Sequence, residues 1–86
     1  MGSLADMGSV YSQRYKRFLE RLKAARERAG FTQVQVAGLL GQPQSFVSKC
    51  ESGERRVDVV ELENFAKIYK KSVSFFLMRG EKNEAG

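Results

Sequence analysis

The sequence contains no histidine and no tryptophan, and only one cysteine and one proline. Each shortage removes a class of chemistry. Without histidine the commonest general base near neutral pH is missing. No serine or cysteine stands beside another identifiable base, so nothing supports nucleophilic catalysis, and the chain is read as a non-enzyme. Lone Cys50 cannot form an internal disulfide and has no second cysteine or histidine with which to share zinc. No glycine-rich phosphate loop is present, and no cofactor or small-molecule ligand is expected. No apolar run approaches the roughly 18 residues of a membrane span, and no secretion signal opens the chain. A cytoplasmic protein without membrane contact is the expectation.

Acidic residues are also in short supply. The 86 residues carry 15 Lys or Arg against 10 Asp or Glu, a net charge of +5. The sequence pI is near 9.7. That balance favours a polyanionic partner, although many small soluble proteins are basic. The length fits one small domain with a marginal core, which a partner subunit would help to stabilise.

What is present is helical punctuation. Thr32 and Gln35 stand in the spacing of a capping box, so a helix starts there, with Val36, Ala37, Leu39 and Leu40 as its apolar residues. Gly41 follows, where a left-handed residue ends a helix. Pro43 suits the first position of the next helix, where its missing N–H costs nothing. In that helix Phe46, Val47 and Cys50 can face inward while Gln44, Ser45, Ser48 and Lys49 stay outside. Cys50 reads as a small core residue rather than a redox switch, since a buried apolar thiol is inert.

The outer face points to base edges. Glutamine can bond adenine N6 and N7, lysine can reach guanine O6 and N7, and serine suits either. A short helix with this face, presented by a preceding helix across a glycine turn, is the helix-turn-helix unit. The bland alternative is an ordinary helical hairpin with a polar solvent face.

Other elements frame this unit. A first helix is expected from Ser12 to Ala29, with Tyr15, Phe18, Leu19, Leu22, Ala25 and Ala29 as its apolar stripe. Seven Lys or Arg between Arg14 and Arg28 face only Glu20 and Glu27, so its charge is not cancelled. After the third helix, Gly53 permits positive φ, and Arg55 and Arg56 stand on a loop as phosphate or minor-groove contacts. Asp58 and Glu61 repeat the capping-box spacing. The fourth helix should turn Val59, Leu62, Phe65, Ala66, Ile68 and Tyr69 inward. Ser72 can cap a last short helix, residues 73–77. Its adjacent Phe75 and Phe76 cannot both enter one small core, so Val73, Phe75, Phe76 and Leu77 form an expected dimer surface. Residues 1–11 read as a flexible arm, 12–77 as the domain and 78–86 as a flexible polar tail.

The run Thr32-Gln33-x-x-Val36-Ala37-x-x-Leu40-Gly41-x-Pro43-Gln44-Ser45-x-Val47-Ser48-Lys49-x-Glu51-Ser52-Gly53-x-Arg55-Arg56 resembles the lambda-repressor-like helix-turn-helix family. That family includes phage repressor and Cro proteins and the xenobiotic-response-element (XRE) type bacterial regulators. The resemblance covers roughly residues 15 to 77. It implies a compact all-α domain of five helices, with helix-turn-helix at helices 2 and 3, that regulates transcription as a homodimer on a double-stranded DNA operator. It implies that Gln33 bonds a phosphate and braces Gln44. It also implies that Arg26 pairs with Glu51 and is aimed at a phosphate, for which a bidentate Arg–carboxylate joint is well suited. Three positions depart from the family pattern: Gln42 for an apolar residue, Pro43 for a Ser or Thr cap, and Lys70-Lys71 where glycine is usual. A rival reading keeps the fold and makes the chain an antitoxin or adaptor whose main partner is another protein.

Overall fold

The helices begin and end where side chains satisfy the backbone. In the computed structural model, which describes residues 12–77, Ser12 accepts the Tyr15 N–H at 3.1 Å and starts α1, Gln13–Arg28. The expected arm and tail, residues 1–11 and 78–86, lie outside the described residues. Thr32 and Gln35 close a reciprocal capping box, at 3.1 and 2.8 Å, and open α2, Gln33–Leu40. Gly41 ends it at φ 67°, and the Gln42 N–H reaches back to the Ala37 carbonyl at 2.9 Å. That six-to-one bond is the Schellman closure of a helix. α3 follows as Gln44–Ser52. Asp58 and Glu61 form the second capping box and open α4, Val59–Tyr69. Ser72 caps α5, Val73–Leu77, by accepting the Phe75 N–H at 3.3 Å.

All five helices contribute to one core, and no strand occurs among the described residues. Phe18, Leu22 and Ala25 come from α1, Val36 and Ala37 from α2, and Val47 and Cys50 from α3. Leu62, Phe65, Ala66 and Tyr69 come from α4, and Phe76 from α5. Phe65 sits at the centre. Its ring stacks on Phe46 at 6.3 Å and on Tyr69 at 6.0 Å, and so connects α4 to the helix that carries the polar face.

Several apolar residues lie elsewhere than expected. Val59 is 70% exposed, because a helical side chain leans toward the N-terminus and a first-turn residue therefore points past the helix. Leu39 is 61% exposed, since it stands roughly 100° around α2 from the Val36–Leu40–Ala37 face. Ala29 is exposed as the C-cap of α1. Pro43 is itself the N-cap of α3, rather than its first residue, and neither Gln42 nor any other side chain caps it. The paired phenylalanines divide. Phe76 is 1% exposed and meets Phe18 edge-on, so it belongs to the core and is withdrawn from the expected dimer surface. Phe75 is half-buried, with its ring against Phe76 at 5.1 Å and the Lys71 ammonium 4.9 Å above it.

Lys70 closes α4 in the left-handed region, at φ 57° and ψ 46°. It is the one non-glycine residue with positive φ among the described residues. A side chain in that region costs about 1–2 kcal/mol, and glycine loses part of that gain through unfolded-chain entropy. Lys70→Gly is therefore expected to raise stability by about 0.5–1 kcal/mol. The urea midpoint checks this, and an unchanged or lower midpoint contradicts it.

Candidate nucleic-acid interface

The site is built on the turn between α2 and α3. The left-handed Gly41 lets the chain reverse, and Val36, Ala37, Val47 and Cys50 seal the inner sides of the two helices, each at most 3% exposed. Burial pushes the Cys50 thiol above its ordinary range, which keeps it protonated and unreactive. Outward, Gln44, Ser45 and Lys49 are exposed and Ser48 is half-buried. The Ser48 hydroxyl donates to the Ser45 carbonyl at 3.2 Å. Its oxygen is then left as an acceptor for a base amino group, rather than a partner for any edge.

Gln44 is held by a relay that starts in the core. The Arg26 Nε donates to Glu51 Oε2 at 2.6 Å and its Nη2 to Oε1 at 3.1 Å. Nη1 donates to the Phe31 carbonyl at 2.9 Å. The hydrogen bonding to Glu51 raises the Arg26 pKa above its ordinary value. Glu51 Oε1 also accepts Gln33 Nε2 at 3.0 Å, and Gln33 Oε1 accepts Gln44 Nε2 at 3.4 Å. The direction of the chain is fixed by chemistry. An ionised carboxylate only accepts, so Gln33 must turn its NH₂ to Glu51 and its carbonyl to Gln44. Gln44 is left with one N–H and its Oε1, the donor–acceptor pair that matches adenine N7 and N6.

Arg26 was expected both in the clamp and at a phosphate. The fold forms the clamp and buries the residue to 9% exposure, with three of its donors engaged. Its guanidinium thereby holds both Glu51 and the Phe31 carbonyl. Gln33 keeps a second amide N–H, beside the first-turn N–H groups of α2 that have no intrahelical acceptor.

The basic loop is pinned rather than loose. Arg55 donates to Glu61 at 2.8 Å and to the Arg56 carbonyl at 3.1 Å, and it lies 4.8 Å from the Phe46 ring centre. Hydrogen bonding to Arg55 lowers the Glu61 pKa. Arg56 lies 4.4 Å over the Tyr15 ring, whose hydroxyl accepts the Val57 N–H at 3.2 Å. Sequence reasoning missed the Glu61 and Tyr15 anchors. Glu61 already had a local explanation as a cap, and Tyr15 lies 42 positions from the backbone it holds.

Among the described residues no His, Cys, Asp or Glu group could hold a metal ion, and no helix is long and apolar enough to cross a membrane.

Comparison with known proteins agrees with this geometry. The pattern of a helix-turn-helix domain family matches residues 17–73. Among solved structures, the chain is similar to an XRE-family like protein from Pseudomonas syringae pv. tomato str. DC3000. The two share 45% sequence identity and superimpose with a TM-score of 0.70 over 74% of this chain and 78% of that one. None of the curated proteins matches the chain.

Proposed function

Since this chain belongs to the XRE-type helix-turn-helix family and is a DNA-binding regulator, we propose that it recognises a specific double-stranded operator by laying α3 in the major groove. The observation that carries this reading is the relay ending at Gln44, which holds an exposed amide by one N–H and leaves its other N–H and its oxygen for a partner. Gln44, Ser45, Ser48 and Lys49 read base edges. Gln33, with the N-terminal N–H groups of α2, takes a phosphate. Arg55 and Arg56 take phosphates on the flank. Arg26 acts through Glu51 and touches no DNA.

A homodimer completes the reading. One small domain on one half-site buries little surface and binds weakly. Two-fold pairing places two recognition helices roughly 34 Å apart, one DNA turn. The half-buried Val73 and Phe75 and the 49% exposed Leu77, with part of α4, are the surface for that contact.

Gln44→Ala tests the base reading. It should cost about 1–3 kcal/mol on the preferred site and relax preference at one base pair. A uniform loss on all sequences would make Gln44 a positioning residue. The loop has its own test. Arg55→Ala and Arg56→Ala should weaken specific and nonspecific binding alike, each lost contact lowering the slope of log K against log salt by about 1. An unchanged slope in both variants removes the loop from the interface.

A further inference from the structure

Most of the excess positive charge of the chain lies on α1, away from the recognition helix. At about 100° per residue, Arg14, Arg17, Arg21 and Arg28 fall in one sector of α1 roughly 60° wide. Arg14, Arg17 and Arg28 are exposed and Arg21 is half-buried. Lys16, Lys23, Glu20 and Glu27 fall in another sector of similar width, and all four are exposed. There each base stands one turn from an acid, Lys16 from Glu20 and Lys23 from Glu27, so that sector is neutral. Arg26, the remaining base of α1, is matched by Glu51. The arginine sector holds no carboxylate of α1, and its four charges stand against a net charge of +5 for the whole chain. At a rise of about 1.5 Å per residue the stripe is about 21 Å long.

The direction of the stripe separates it from the operator contact. Tyr15 and Arg26 mark the side of α1 that meets the basic loop and α3, through Arg56 and Glu51. The centre of the stripe is roughly 140° around the helix from them. Composition decides between two polyanionic partners. A protein partner needs an apolar anchor at the centre of its contact. The exposed large apolar residues are Val34, Leu39, Val59, Val60 and Leu77, and α1 has none of them. A duplex needs only positive charge, and it offers one phosphate per about 1.7 Å of axis, about a dozen along the stripe, so no register has to be met. Arginine is also the side chain whose planar fork matches phosphate. We propose that the arginine stripe of α1 is a second, sequence-independent surface for double-stranded DNA, by which a chain seated on one duplex holds a segment of another. The inference rests on the operator reading only for what α3 holds at the same time.

Duplex bridging by the full chain is the test. A duplex selected by the protein from a random pool is fixed to beads and saturated with protein. The beads are washed, and a labelled duplex of unrelated sequence is added at low salt. Arg17→Gln/Arg28→Gln is compared with Lys16→Gln/Lys23→Gln, which removes the same two charges from the neutral sector of the same helix. All four positions are exposed, and circular dichroism checks folding. The wild type should capture the second duplex. The arginine pair should weaken capture by about tenfold and lower its salt slope by about 2, one for each lost phosphate contact. The lysine pair should change capture by less than about twofold, and both variants should keep the base preference of the wild type on the first duplex. A wild type that binds the fixed duplex and captures no other overturns the inference, as does capture that the two pairs weaken equally or that the arginine pair leaves unchanged. Capture of labelled polyglutamate in place of the duplex assigns the stripe to an acidic protein instead. A pool that yields no preferred sequence overturns the operator reading, and bridging is then read with an unselected duplex on the beads.

Discussion

Glu51→Ala should lower folding stability by about 3–5 kcal/mol, because it leaves the Arg26 guanidinium buried without its counter-charge. The paired side chains are only 11% and 4% exposed, so water does not replace what is lost. Arginine cannot escape by losing its proton. Set against a total stability of roughly 4–13 kcal/mol for a chain of this size, the loss is a large share, and urea unfolding would show it directly. A loss below about 1 kcal/mol would mean that the pair is solvated and contributes as a surface bridge does. The companion variant Arg26→Met/Glu51→Met separates fold from function. Replacing both charges by apolar groups of similar volume is often neutral or stabilising. That protein should fold, yet Gln33 would have no acceptor to fix its amide and Gln44 no fixed partner. Its base preference should relax at the same position as in Gln44→Ala. A double variant that retains full preference would show that Gln44 needs no relay.

Phe65→Ala should cost about 3–5 kcal/mol, the loss expected when a fully buried phenylalanine is truncated in a packed core. Phe65 is 0% exposed and its ring lies nearly parallel to Phe46, with 8° between their planes. Phe46 belongs to α3, so the cavity opens beneath the recognition helix. The midpoint of thermal unfolding should fall by more than about 10 °C. Phe65→Leu should lose less, since it refills most of the volume and forfeits mainly the stacking, about 0.5–1.5 kcal/mol per aromatic pair. Equal losses in the two variants would mean that the core collapses around the site and that ring geometry contributes nothing.

Much of the fold was legible because it is made of local bonds. The Thr32–Gln35 and Asp58–Glu61 boxes, the Ser12 and Ser72 caps and the Gly41 stop each join groups at most five residues apart. A short-range pattern in the sequence therefore carries them. The apolar periods of α1 and α4 were equally readable, since 3.6 residues per turn decides which side chains share a face. The Arg26–Glu51 clamp was of another kind. Its partners are 25 residues apart, and it was expected only through the family resemblance.

The sequence by itself determined the helix boundaries to within a residue, most of the buried stripe of α1 to α4 and the polar face of α3, all set by bonds and periods within a turn or two of chain. The tertiary structure alone decided which flank of each stripe stays wet. Val59 and Leu39 are as apolar as their buried neighbours, yet the other helices pack past the first turn of α4 and onto the Val36–Ala37–Leu40 side of α2, so both stay exposed. It decided that Phe76 enters the core and Phe75 rests half-covered beneath Lys71, because one site against Phe18 admits one ring. It bound Arg55 to Glu61 and Arg56 to Tyr15, and it joined Arg26 through Glu51 and Gln33 to Gln44. Most of these outcomes depend on how rigid elements pack across distant positions, as far as Phe18 to Phe76, where no local spacing records which side chain will meet which.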